Sequence, residues 1–327
     1  MKHVSILIPE GNVSIVNIGG THQILSMVNE VLQKMGQNPV FDIHLVGLEK
    51  ESQRSPRLFS VTADRVISEI AKTDLIIIPA IFDDVPTAKE NNREFIPWIL
   101  HQYKNGAEVA SMCVAAFFLA ETGLLDGKHC STHWMHANSF RALYPDINLV
   151  DDKILTEEDG IYTSGGAYAF LNLLMYLIEK NAGREVAVHI SKAFSIDIDR
   201  ESQSPFIMFE GQKDHGDEKI ISAQEYIEEN YEQMIRVDEL AEKLALSRRT
   251  LERRFKKATS NTVTEYVQRV KVEAAKKDLE RTRKNVTEVM YEVGYSDTKS
   301  FRNLFRKITG LTPNEYRDKY NRDAVAV

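Results

Sequence analysis

The chain has 327 residues, 43% hydrophobic and 27% charged, which excludes a wholly disordered polymer and predicts about two domains of roughly 150 residues. The net charge of −7 argues against a nucleic-acid partner only when averaged over the chain, because residues 1–216 carry 18 Lys and Arg against 28 Asp and Glu, while Leu244 to Gly310 carry 17 against 8. A phosphate-binding face depends on local charge, so the second half keeps that function open.

Two cysteines, Cys113 and Cys130, make no disulfide framework and point to a reducing compartment. Apolar runs such as Leu75 to Ile78 fall far short of a membrane span. The first ten residues lack a signal-peptide pattern, since their short apolar stretch ends in Pro9-Glu10. A cytoplasmic protein without a membrane partner is expected.

In chain order, Val4 to Ile8, Phe41 to Val46, Asp74 to Pro79 and Glu108 to Met112 read as strands buried on both faces. Amphipathic stretches lie between them, including Ile24 to Met35 and Arg93 to Tyr103. This alternation predicts a parallel sheet with helices on both sides. A strand at Gly160 to Thr163, a turn at Ser164-Gly165-Gly166, and helices over Ala167 to Glu179 and Arg184 to Phe194 complete the first domain. Its expected extent is 1–200. A polar stretch with Pro and Gly follows, read as a linker over 201–218. From there to residue 327 the pattern is helical throughout.

Within this all-α domain, Val237 to Ser247 repeats as Val286 to Ser296 at an offset of 49. After the turn the offset becomes 50, pairing Leu251 with Phe301, Phe255 with Phe305, Thr259 with Thr309 and Glu265-Tyr266 with Glu315-Tyr316. Each copy has a short helix, a turn, and a second helix capped by Ser247 or by Ser296-Asp297. The Leu251/Phe255 and Phe301/Phe305 pairs sit at i, i+4 and face inward. This is a helix-turn-helix, twice. A long helix from Val263 to Glu280 joins the copies.

The outward face of the second helix is the one that enters a major groove. In the first copy it carries Arg248, Arg249, Glu252, Arg253 and Lys256; in the second, Thr298, Lys299, Arg302, Asn303 and Arg306. Arg pairs with guanine and Asn with adenine, while other basic side chains contact phosphate. A single helical hairpin with charged flanks would be a weak signal. Two in register make double-stranded DNA the expected partner.

In the first domain, Val109 to Ala120 reads as strand, sharp turn and helix, with Cys113 at the junction. A helix N-terminus favours a thiolate, and His133 lies 20 residues on. Cys with His is the minimum for an activated nucleophile. A buried, inert cysteine with a histidine packed nearby fits the same residues, and no third group is evident. His129, His133 and His136 lack paired ligands at metal-site spacing, so no metal or cofactor is expected.

The second domain, ending Gly294-Tyr295-Ser296, Ser300-Phe301, Phe305-Arg306-Lys307 and Gly310 to Arg317, resembles the AraC/XylS class of transcription regulators. The resemblance implies two recognition helices in successive major grooves of one DNA face. It also implies a regulatory first domain that dimerises and binds a small-molecule effector, and contact with RNA polymerase if the protein is an activator. The first domain, through Ser111-Met112-Cys113, Leu119 to Gly127, Thr132-His133-Trp134 and Thr163 to Gly166, resembles the PfpI-like, class I glutamine amidotransferase-like superfamily. That resemblance implies a flavodoxin-like α/β sandwich with Cys113 on a nucleophile elbow.

The chain departs from the enzymes of that superfamily. Val114 stands where hydrolytic relatives often have His, Ala115 replaces a small Gly, and Asn172 replaces an Asp. The acid expected after the first strand falls on Val16, with Glu10 near but misplaced. The Cys113/His133 pair therefore reads as the remnant of a catalytic site, reused for sensing, in a protein that is not an enzyme. Two alternatives remain: a cysteine-dependent hydrolase or amidase tethered to DNA, and a redox sensor in which Cys113 is oxidised.

Overall fold

The computed structural model describes residues 1–50, 53–54, 60–198 and 200–321. The end of the expected all-α domain, 322–327, lies outside the described residues. The chain forms two compact units, Met1–Gln203 and Ser204–Val327.

The first unit opens with β1 (Lys2–Leu7), α1 (Ile15–Lys34) and β2 (Phe41–Gly47), then the short β3 (Gln53–Arg54), β4 (Ser60–Val61) and β5 (Arg65–Val66). β6 (Leu75–Ile78), α2 (Val85–Asn91), α3 (Phe95–Lys104), β7 (Glu108–Met112) and α4 (Ala115–Ala120) follow. The rest is β8 (His129–Cys130), α5 (Ala137–Leu143), β9 (Asn148–Leu149), β10 (Leu155–Glu158), β11 (Ile161–Ser164), α6 (Phe170–Ala182) and α7 (Arg184–Phe194). Seven strands pair in the order β10-β11-β7-β6-β1-β2-β5. All neighbours are parallel except β10 and β11. This is the expected flavodoxin-like α/β sheet, with Val4, Ile6, Ile76, Ile77, Val109 and Ala110 fully buried at its centre.

Three differences from the expected elements have local causes. The first helix begins at Ile15 instead of Ile24 because Ser14 caps it, accepting from the Asn17 N–H. The helix tolerates Gly20 because Phe170 packs where a side chain would stand, 3.2 Å from an added Cβ. The antiparallel edge strand β10, Leu-Thr-Glu-Glu, has no apolar run to announce it. β2 is not buried on both faces: Asp42 to Leu45 are only half-buried, since β5 beyond it has just two residues.

The second unit contains α8 (Glu218–Glu229), α9 (Val237–Lys243), α10 (Arg248–Thr259), α11 (Val263–Arg281), α12 (Val286–Glu292), α13 (Thr298–Thr309) and α14 (Pro313–Tyr320). Two apolar clusters form, one around Ile220, Ile227, Leu240, Leu251, Phe255 and Tyr266, the other around Leu279, Val289, Met290, Phe301, Phe305 and Tyr316. The long helix α11 contributes to both. The duplication extends to hydrogen bonds. Thr259 and Thr309 donate to the carbonyls of Phe255 and Phe305, each at 2.8 Å. Thr262/Glu265 and Thr312/Glu315 form matching capping boxes. The hydroxyls of Tyr266 and Tyr316 each donate to a glutamate, Glu228 or Glu280, at 2.6 Å.

The stretch expected as a linker, 201–218, is held down along its length. Gln203, buried, donates to the Thr132 carbonyl within the first unit. In the second unit Lys276 donates to the Ile207 carbonyl at 2.6 Å, Tyr320 to the Pro205 carbonyl, and Phe209 packs edge-on against Tyr266. These backbone groups thus find partners within one unit or the other.

Candidate nucleic-acid interface and regulatory pocket

The second helices of the two helix-turn-helix units are α10 and α13. Ser247 caps the first by accepting from the Thr250 N–H, and Asp297 caps the second by accepting from the Ser300 N–H at 2.7 Å. Each turn needs one residue in the left-handed region: Ala245 at φ 50° in the first copy, Gly294 at φ 74° in the second. Leu251, Phe255 and Thr259 are buried on one face of α10, as are Phe301, Phe305 and Thr309 on α13. The inward faces therefore match residue for residue.

The opposite faces carry the predicted contact residues. Arg248, Arg249, Glu252, Arg253 and Lys256 are exposed on α10, and Lys299, Arg302, Asn303 and Arg306 on α13, with Thr298 half-buried. Their electrostatic settings differ. Arg248 is tied at 3.0 Å to both Asp238 and Glu252. Lys256 donates to the Ser260 carbonyl and lies 3.8 Å from Glu265. Arg249, Arg253, Lys299, Arg302 and Arg306 enter no ion pair among the described residues, leaving their charge available to an anionic partner.

Cys113 follows β7 at φ 57°, a left-handed elbow like that expected from the resemblance, with its N–H donating to the Ser164 carbonyl at 3.0 Å. Of the two readings, an activated thiolate or a buried, inert cysteine, its surroundings match the second. The side chain is packed among Ala80, Val114 and Phe117, and burial pushes the thiol up to about 11, opposed only by the Val114 N–H. α4 has six residues and cannot outweigh that desolvation.

His133 is not joined to the thiol. Among the described residues the two share no hydrogen bond; His133 Nδ1 accepts from the Met135 N–H at 3.2 Å, and its ring lies against Trp134 and His136. Burial and the neighbouring His136 lower its pKa. Thr132, one residue earlier, is the group that reaches the elbow, donating to the Cys113 carbonyl at 3.1 Å. Glu10 is exposed, Val16 is exposed, and Asn172 donates to the Asp197 carbonyl. Over the Gly165-Gly166 turn, the carboxamide of Gln203 fills the space a side chain at Gly165 would need and accepts from the Gly166 N–H. Gln203 was missed from sequence because it lay in the expected linker.

Beside the elbow lies a cavity of about 490 Å³, lined by Phe82, Val85, Val114, Phe117, Glu121, His136 and Leu143 among others. Its size suits a small molecule. Glu121 is fixed there by an ion pair with Lys89 and by the Tyr144 hydroxyl at 2.6 Å. Val114, not Cys113, contributes to its wall. Of these lining residues, spacing drew attention to His136 and the resemblance to Val114, but nothing in sequence joined them in one pocket, because α2, α4 and α5 are brought together only by the fold.

The helix-turn-helix domain profile matches residues 240–319, and the DJ-1/PfpI family profile matches residues 25–180. The HTH-type transcriptional regulator GbdR of Pseudomonas aeruginosa is 24% identical over 310 residues, covering 94% of this chain and 82% of that protein. Among solved structures, an AraC family transcriptional regulator from Pseudomonas putida superposes with a TM-score of 0.51 at 15% identity, covering 59% of this chain and all of that one. DJ-1beta of Drosophila melanogaster superposes equally well, with a TM-score of 0.51 at 17% identity over 60% of this chain and 100% of that one. These two structures support the sandwich fold. With the duplicated helix-turn-helix and the parallel sheet, the matches identify the chain as a DNA-binding transcription regulator of the AraC/XylS type that carries a DJ-1/PfpI domain ahead of its paired helix-turn-helix units.

Proposed function

We propose that α10 and α13 read two neighbouring segments of promoter DNA, and that the first domain adjusts this binding through an effector held in the cavity beside Cys113, through dimerisation, or both. The observation that carries the reading is the matched pair of helices, each with a buried apolar face and an exposed basic one. Recruitment of RNA polymerase belongs to it if the protein is an activator, as does a cytoplasmic location. No helix among the described residues is long and apolar enough to cross a membrane.

Under this reading the first domain does not turn over a substrate. A thiol pushed up to about 11 is overwhelmingly protonated near neutral pH, and no general base bonds to it among the described residues. The same burial disfavours Cys113 as a redox sensor, since oxidation follows thiolate character and exposure.

The test is selection of duplexes by the full-length protein from a random library at near-physiological salt. Two short boxes about one helical turn apart, roughly 34 Å, are expected. A single box, or enrichment unchanged by replacing Arg249 and Arg302 together with Ala, would overturn the two-helix reading.

A further inference from the structure

Where the sheet is covered on both faces it is lined by Val, Ile and Leu; the start of β1 and β2, only half-buried, carries a polar patch instead. The register pairs His3 with Asp42 and Ser5 with His44. Because side chains alternate, Asp42 and His44 share a face, and so do His3 and Ser5. The result is a half-buried trio whose ligand atoms all lie within 4.8 Å of one another.

We infer that His3, Asp42 and His44 form a binding site for a divalent transition-metal ion of the zinc class. His44 Nε2 lies 3.2 Å from Asp42 Oδ1. Two donors on one tetrahedral ion, each about 2.0 Å from the metal, are separated by roughly that distance. The His3 and His44 rings stack at 4.7 Å with planes 23° apart, which holds the two imidazoles side by side.

The surrounding hydrogen bonds prepare His3 as a ligand. Its Nδ1 lies 3.0 Å from Thr73 Oγ1, which also accepts from Ser5 Oγ at 3.0 Å and donates to the His3 carbonyl at 3.1 Å. With the Thr73 proton assigned to that carbonyl, Nδ1–H is the donor to Thr73, and Nε2 keeps its lone pair. A second-shell bond of this kind fixes the tautomer of metal-binding histidines. Thr73 is itself held by its N–H donating to Gln102 at 3.1 Å.

Two neutral imidazoles and one carboxylate give a mixed nitrogen–oxygen set that suits Zn²⁺, Co²⁺ or Ni²⁺ better than Mg²⁺ or Ca²⁺. The fourth position would fall to water. Asp74 accepts from the His3 N–H at 2.8 Å, and Arg65 is the nearby cation. Sequence spacing gave no sign of this site, because its members come from strands joined only by register, whereas the histidines that did stand out are engaged elsewhere: His129 bonds to Glu158, and His133 and His136 meet edge-on.

The experiment is titration of tag-free, metal-stripped full-length protein with Co²⁺, read by the visible bands of four-coordinate cobalt, with Zn²⁺ displacing it. One equivalent is expected to bind, and Zn²⁺ to raise the thermal midpoint of the first domain. His3→Gln and His44→Gln should each weaken binding tenfold or more, with Asp42→Asn as the substitute if either fails to fold. His133→Gln should leave binding unchanged. Absence of saturable binding at one equivalent, or affinity that survives His3→Gln and His44→Gln, would overturn the assignment. So would affinity that falls with His133→Gln.

Discussion

The ammonium of Lys271, buried within α11, donates to the carbonyl oxygen of Val293 at 2.8 Å, where α12 ends, and to that of Gln233 at 3.3 Å. One side chain on the connecting helix thus secures the loop after α8 and the turn of the second helix-turn-helix. Replacing it with methionine keeps most of the apolar stem but leaves two carbonyls short of a donor. Lys271→Met should lower the unfolding free energy of the helical domain by about 2–3 kcal/mol in urea titrations. Burial lowers the Lys271 pKa, so the unfolded chain binds the proton more tightly. The contribution of this group to stability therefore rises as pH climbs from the lowered folded value toward 10.5. That upward slope should vanish in the variant.

Glu108 gives a pH dependence of the same sign in the first domain, but in the acid range. Burial opposes its ionisation, but Lys180 at 2.6 Å, Lys2 at 2.5 Å and the Tyr162 hydroxyl at 2.7 Å overcome it, holding the carboxyl at about 2. The folded value lies below the unfolded one near 4.5, so the stabilisation is complete above that value and is lost as pH falls toward 2. Glu108→Gln should reduce stability at pH 7 by about 2–3 kcal/mol and flatten the acid limb of the unfolding curve.

How much of this was legible beforehand depends on whether the cause was local. Helix caps such as Ser247, inward pairs such as Leu251 and Phe255, and the strand runs were readable because each depends on neighbours in sequence. The state of Cys113 was readable only as a choice between a thiolate at a strand–helix junction and a buried, inert thiol. What decides it is desolvation by Ala80, Val114 and Phe117, of which Ala80 comes from a separate part of the chain. The role of Gln203 and the His3/Asp42/His44 trio were hidden for the same reason: tertiary contact alone brings these groups together.

Cys113 should behave as a protected thiol. At pH 7.5 iodoacetamide should label it far more slowly in the folded protein than in denaturant, and the labelling rate should rise as pH approaches about 11. Mild peroxide should leave DNA affinity unchanged. Rapid labelling near neutral pH would revive the redox reading.

The two basic faces should respond differently to truncation. Arg249→Ala and Arg302→Ala should each cost about 1–3 kcal/mol of DNA binding, concentrated at particular base pairs. Arg248→Ala should cost less, because binding DNA would require it to leave Asp238 and Glu252. Affinities measured across single-base variants of a selected site check this. A loss spread evenly over all sequences would make Arg249 and Arg302 phosphate contacts.

The left-handed residues of the two turns make the duplicated halves unequal as building parts. Ala245 holds φ 50° with its methyl group in place. At Gly294 an added Cβ would lie 2.0 Å from the carbonyl oxygen of Glu232 and 2.7 Å from the Lys271 ammonium. A chimera in which the second turn replaces the first puts a glycine where an alanine already fits. The reverse exchange forces a methyl group into an occupied backbone contact. Interchange between the halves therefore runs in one direction only, and the second turn must remain a glycine for as long as the loop after α8 rests against it.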